Sequence, residues 1–296
     1  MEQQPALEAA AGAAREFLAS LGERPVWARA SYPEMLTTLG GALPESSTPA
    51  ELASESGPVI VCLQAGEVHT GAFDPFIEAI EVSRRHGAWV HVDGAFGLWA
   101  AASPATSHLV AGVGAADSWA TDAHKTLNVP YDSGLAIVRD PVAHRAAFGV
   151  RADYLLSDDN DPSDLVPELS RRARGFAVWA ALRSLGREGV GSLVAGLCLR
   201  ATQMADGLAG VPGAELLNDV VYTQVLMAFG DDDTTREIGH RLLAEGTAVL
   251  TPATWRGRAA LRCSISNWST TAQDIDRTLA AMRRIVAERE PAVDGQ

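Results

Sequence analysis

The chain of 296 residues holds one lysine, Lys125, and every other long basic side chain is arginine. A guanidinium carries surface charge as well as an ammonium does. It stays protonated, however, and does not condense with a carbonyl. A single retained primary amine therefore points to nucleophilic amine chemistry, although one lysine surviving an arginine-rich composition by chance is an equal reading of the count alone. Lys125 lies in the string DAHKTLNVPYDSG (122–134), with His124 beside it. Upstream, Asp93 closes the apolar run AWVHVD (88–93) and is followed by Gly94 and Ala95. An aspartate there is as readily a turn or cap residue as a ligand. A carboxylate and a unique amine, both at strand ends of one sheet, can nevertheless face a common ligand.

Short apolar runs must supply those strand ends. PVIVCLQ (58–64) and AWVHVD read as buried strands, joined by a helix that opens at Asp74-Pro75 and stops at Gly87. That order is a βαβ unit and implies a parallel sheet. ADSWATDA (116–123) and SGLAIVRD (133–140) predict further strands around the lysine. Beyond residue 150 come an acidic loop-like segment (154–168), a helix over 170–186 ending at Gly186 and a second over about 188–210. Strands are expected at 214–229 and 258–265, and helices at 234–246 and 271–288. The N-terminal part predicts helix over 4–21 and helix starts at Ser31 and Thr48, each with proline and glutamate following. The expected organisation is an N-terminal helical segment (1–56), a large domain (57–187), a smaller C-terminal α/β domain (188–290) and a tail (291–296).

Composition narrows the partners. A net charge of −13 disfavours nucleic acid and anionic membranes. The N-terminus, MEQQPALEAAAGAAREF, has no basic n-region, so a cytoplasmic location is expected. Cys62, Cys198 and Cys263 are far apart and form no CxxC, so they read as reduced thiols, and no metal site is expected. His91 and Asp93 are not read as a metal pair. GVGAAD (112–117) lacks a third glycine for a dinucleotide loop, and Trp89, Trp99, Trp119 and Trp179 are expected in the core.

GEVHTGAFDP (66–75), HVDGAFGLWAA (91–101) and DAHKTLNVPYDSG together resemble the group II pyridoxal-phosphate-dependent amino acid decarboxylases. RRARGFAVWAALRSLG and WRGRAALRCSISNWSTT resemble later segments of that family. The resemblance implies an α/β fold type I, aspartate-aminotransferase-like architecture with a mainly parallel sheet, working as a homodimer on a small-molecule amino acid substrate. It implies a Schiff base between Lys125 and pyridoxal 5'-phosphate, Asp93 on the pyridine nitrogen, and Ala95 under the ring. His124 would approach the cofactor or substrate and relay a proton, Thr70 would lie beside the cofactor, and Arg262 would grip the substrate carboxylate.

The chain also departs from the family. A block expected between residues 52 and 58, bearing the phosphate-binding turn and a histidine that stacks on the ring, is absent, which would leave apolar sheet edges. Thr126 stands where a bulky aromatic is expected. The loop 156–168 has no tyrosine, and Tyr154 is near but not equivalent. Two alternatives to decarboxylation stay open: a silent homologue or fragment, and other fold type I chemistry such as transamination or aldehyde-lyase cleavage.

Overall fold

A computed structural model describes residues 59–149, 161–168 and 170–289. The helices expected before residue 57, Tyr154 and much of the acidic segment lie outside those residues. The first sheet is built from β1 (Ile60–Gln64), β2 (Trp89–Asp93), β3 (Ser118–Asp122) and β4 (Gly134–Val138), side by side in that order. β1, β2 and β3 run parallel, and β4 runs antiparallel to β3. Helix α1 (Phe76–Arg85) makes the βαβ crossover and buries Phe76 and Ile80, while Gly87 (φ +64°) provides the left-handed exit.

Alternation along the strands explains the burial. Val90 and Val92 face the α1 side and are fully buried. The opposite face carries Ile60, Trp89, His91 and Asp93, and Ile60 is 64% exposed. Among the described residues no strand pairs with the outer edge of β1. Two tryptophans expected in the core are therefore outside it. Trp89 lies on the uncovered face and Trp179 on the outer side of a helix, whereas Trp99 and Trp119 pack against the core. His91 and Asp93, two apart on β2, share a face, and His91 Nδ1 lies 2.8 Å from Ser118 Oγ.

After α2 (Pro141–Phe148), a long helix, α3 (Arg174–Leu208), joins the two halves. The sequence predicts two helices here. The structure has both: Gly186 (φ 63°, ψ −179°) is non-helical, in a conformation open to glycine, and separates two helical stretches within α3. Before and just after the break, Val178 and Val190 pack on Ala123, Leu127 and Val129 around the lysine turn. Further on, Leu197, Ala201, Met204 and Leu208 pack on the second sheet.

That sheet is antiparallel, in the order β5 (Ala214–Leu216), β6 (Gln224–Phe229), β8 (Arg258–Ser264), β7 (Thr251–Trp255). Strand β7 is absent from the sequence reading because Pro252 argues against a strand, but β7 is an edge, where proline is tolerated. Helices α4 (Asp232–Ala244) and α5 (Ala272–Arg289) cover it. Asp231 caps α4 by accepting from Thr234 N–H (2.8 Å). Thr271 and Asp274 form a reciprocal capping box on α5. No described helix is long and apolar enough to cross a membrane.

One close approach fixes the chain after β2. A Cβ on Gly97 would fall 2.1 Å from the carbonyl oxygen of Ala65, a backbone atom that cannot step aside. Gly97→Ala is expected to destabilise the fold by about 2 kcal/mol or more, in the range of overpacked cores. Urea unfolding of the two proteins measures it, and an unchanged midpoint would contradict the close packing.

Candidate active site

Parallel pairing puts the carboxyl ends of β1, β2 and β3 on one edge of the sheet. Asp93 is the last residue of β2, opposite Gln64 of β1 and Ala120 of β3. The turn beyond it is sewn to both neighbours. Gly94 N–H donates to Ala120 C=O (2.9 Å), Asp122 N–H to Ala95 C=O (2.8 Å), and Ala65 N–H to Asp93 C=O (2.8 Å). Asp93 Oδ1 accepts from Ala95 N–H (3.1 Å), and its other carboxylate oxygen has no partner among the described residues. Lys125 follows β3 in a turn tied back by Thr126 Oγ1 to Phe96 C=O (3.0 Å).

These turns open into a cavity of about 440 Å³ whose walls include Asp93, Ala95, Lys125 and Arg262. The second sheet contributes Gln224, Arg262 and Ser264, Thr223 lies just before β6, and the loop after β8 contributes Ser266. Four residues singled out in sequence thus share one cavity. Arg262 donates through Nη1 to Val68 C=O (3.0 Å), and its Nε is buried without a partner among the described residues. A guanidinium at the cavity wall can receive a carboxylate ligand through charge-assisted hydrogen bonds.

Two predicted site residues stand outside the wall. Thr70 spends its hydroxyl and N–H on Glu67 Oε2 (2.9 and 2.7 Å), and its carbonyl accepts from Asn218 Nδ2 (2.9 Å). Burial would raise the Glu67 carboxyl, but hydrogen bonds from Thr70 and His69 outweigh it and hold the pKa below its ordinary value. His124 takes a hydrogen bond from Ser133 N–H at Nδ1 (3.1 Å) and packs on the Tyr131 ring, 4.2 Å between centroids. The ring of Tyr131, not His124, therefore lines the cavity.

Asp122 and Tyr131 were not singled out from sequence, although both lie in the lysine string. Asp122 Oδ2 is 2.9 Å from Lys125 Nζ and 3.7 Å from His124 Nε2. The i,i+3 spacing in a turn was the available signal. Tyr131 is 73% exposed and sits beside a charged clamp. Arg174 binds both Asp132 oxygens (3.0 and 3.1 Å), and Arg172 donates to the Tyr131 carbonyl (2.7 Å).

Among the described residues lining the cavity, the cations are Lys125 and Arg262, and no α-helix begins there. The donor set fits the aldehyde and ring of a pyridoxal cofactor: one primary amine, one carboxylate with a free oxygen, and an alanine between them in the chain. It offers no helix N-terminus to a phosphate.

Comparison with known proteins agrees with this geometry. Residues 44–229 match the pyridoxal-dependent decarboxylase conserved domain, and the chain belongs to that family. Its fold is the α/β fold type I of solved decarboxylases. It superposes on Oryza sativa TDC crystallised with PLP and tryptamine with a TM-score of 0.74, at 23% identity, over 81% of this chain and 53% of that one. For mouse CSAD in apo form the TM-score is 0.73 at 23% identity, over 79% and 54% of the two chains. Among curated sequences, it is 31% identical to the acidic amino acid decarboxylase GADL1 of Mus musculus over 57% of this chain and 32% of that protein. It is 29% identical to the tyrosine decarboxylase of Oryza sativa subsp. japonica over 80% and 48%. The chain spans half or less of the length of these two curated relatives.

The clamp at the rim gives a pH prediction. The Arg174 hydrogen bonds hold the Asp132 carboxyl at about 2, below its ordinary 3.8. A depressed carboxyl stabilises the fold above the unfolded value, and that contribution is lost as pH falls from 3.8 through about 2. Wild type is expected to melt above Asp132→Asn at pH 6, the gap being small because the pair is exposed, and to lose that advantage near pH 2. Melting both proteins across this range measures it, and a gap that persists at pH 2 would contradict the assignment.

Proposed function

We propose that this chain binds pyridoxal 5'-phosphate through Lys125 and decarboxylates an amino acid, as a carboxy-lyase. The observation that carries the reading is the single cavity holding the lone lysine, the Asp93 carboxylate and the partly unspent Arg262 guanidinium. When bound, the cofactor supplies an aldehyde and an electron-withdrawing ring that accepts the electron pair left as carbon dioxide departs.

The chain's own residues do the rest. Asp122 keeps the Lys125 amine in place by an ion pair at 2.9 Å. Asp93 offers its free carboxylate oxygen to a ring N–H, and an anion there keeps that nitrogen protonated. Ala95 leaves room at the wall for a flat ring. Arg262 orients the substrate carboxylate by charge-assisted hydrogen bonds. His124 and Thr70 act from behind the wall, as supports of Tyr131 and of the 66–71 loop. Gln224 and Ser264 add polar side chains to the cavity wall.

A homodimer fits the exposed stripe Phe176, Trp179, Leu182 and Leu185 along α3, at helical spacing. Three unpaired thiols fit a reducing, cytoplasmic setting. The break at Gly186 supports a boundary between a cofactor-binding part (57–187) and a smaller C-terminal part (188–290).

The test is the visible spectrum of the purified chain with pyridoxal phosphate, beside Lys125→Ala. A new absorption band that borohydride traps on residue 125 is expected only in the wild type, followed by carbon dioxide release in an amino acid screen. Identical spectra would leave Lys125 idle and favour a silent homologue; trapping without carbon dioxide would favour another reaction of the same cofactor. In an active chain, Arg262→Met is expected to raise KM about tenfold or more, the scale of one charged hydrogen bond.

A further inference from the structure

Asn128, three residues past Lys125, is one of two described non-glycine residues with positive φ (56°). Its amide meets four backbone groups. Nδ2 donates to the carbonyls of Lys125 (3.1 Å), Thr126 (2.8 Å) and Ser266 (2.8 Å), and Oδ1 accepts from Trp268 N–H (3.3 Å). Three carbonyls on one side and one N–H on the other settle the orientation of the amide. They also exclude substitutes. Aspartate would set an anion against three carbonyls, and residues other than glycine, asparagine and aspartate rarely adopt this backbone conformation. The first two bonds close the lysine turn on itself. The other two cross to the loop after β8, whose Ser266 lines the cavity four residues beyond Arg262.

We propose that Asn128 is a positioning residue that sets the Lys125 turn against the Arg262 strand, and so fixes the spacing between the amine and the carboxylate-binding end of the cavity. The inference rests on the reading of Lys125 and Arg262 as the two ends of the site. Its structural part stands whether or not cofactor binds. The coupling is local: α3 and its packing hold the sheets together in any case, so losing Asn128 loosens the two loops without unfolding the chain.

The experiment compares wild type with Asn128→Gly, which keeps the left-handed backbone and removes all four side-chain bonds. Hydrogen exchange followed by mass spectrometry is read over 124–128 and 264–268 without cofactor. Exchange in both segments is expected to rise roughly tenfold, the scale of one or two lost hydrogen bonds, with circular dichroism unchanged and exchange in α5 unaltered. Asn128→Asp is expected to loosen both segments at least as much. In a second arm, pyridoxal phosphate and borohydride are added, and the pyridoxyl adduct on Lys125 is expected to form more slowly in Asn128→Gly than in wild type. Equal exchange at 264–268 in wild type and Asn128→Gly overturns the proposal whatever the adduct yield. Absence of adduct in the wild type overturns the cofactor reading instead, and the exchange arm still decides the role of Asn128.

Discussion

The cavity depends on β2 and β3 running in the same direction. Two parallel strands end on the same edge of the sheet, so the residues that leave them are neighbours without further folding. The register does the fine placement: Asp93 lies opposite Ala120, which leaves β3 two residues to run before the chain turns at Lys125. Ladder-like bonds continue beyond the strands, from Gly94 to Ala120 and from Asp122 to Ala95. A slip of one residue in this pairing would turn Asp93 toward α1 and the buried valines toward the cavity. The core beneath, with Val90 and Val92 fully buried, is what makes that slip costly.

A second constraint comes from the other sheet. An amine and a carboxylate on one sheet define half a site; the guanidinium comes from β8. Several connections bring it there. Helix α3 packs on the lysine turn with one end and on the second sheet with the other. Tyr222, just before β6, is buried in the first sheet's core against Phe73 and Phe96. Hydrogen bonds add to these, from Arg262 to Val68 C=O, from Asn218 to Thr70 C=O and through Asn128. The first two are apolar and set where the sheets sit, whereas directional bonds such as those of Asn128 set where the loops point.

Much of this was legible in the sequence because local rules and tertiary structure agree. β1, α1 and β2 follow from one apolar run, a proline start, a glycine stop and a second run. Asp93, Ala95, Lys125 and Arg262 were identifiable from residue type, strand ends and family motifs, and the structure brings all four to one cavity. The residues placed outside the cavity wall share a different property. Whether Thr70 and His124 face the cavity depends on which competing partner wins, Glu67 in one case and Ser133 with Tyr131 in the other. Such competition is decided by atoms distant in sequence. The same holds for Trp89 and Trp179, whose side chains lie on faces that nothing among the described residues covers. β7 was hidden because Pro252 argues against a strand unless its place at the sheet's edge is known.

The arginines set off the exception at residue 125. Elsewhere the chain uses the guanidinium fork for what it does well. Arg174 grips both oxygens of Asp132, Arg284 both oxygens of Glu245, and Arg139 reaches the carbonyls of Gly114 and Ala116. These are multi-point contacts in which a lysine would lose directionality. The Lys125–Asp122 pair has a single N···O contact at 2.9 Å, between partners three residues apart in a turn. An arginine there would hold Asp122 at two points and strengthen the turn. It would gain nothing toward a carbonyl, because its protonated, delocalised nitrogens are poor nucleophiles. In a chain that prefers arginine for charge and for hydrogen bonding, the cation at 125 is the one primary amine among the side chains. The Schiff-base role proposed for Lys125 needs a contact such as that with Asp122, since a nucleophile must be able to leave its counterion.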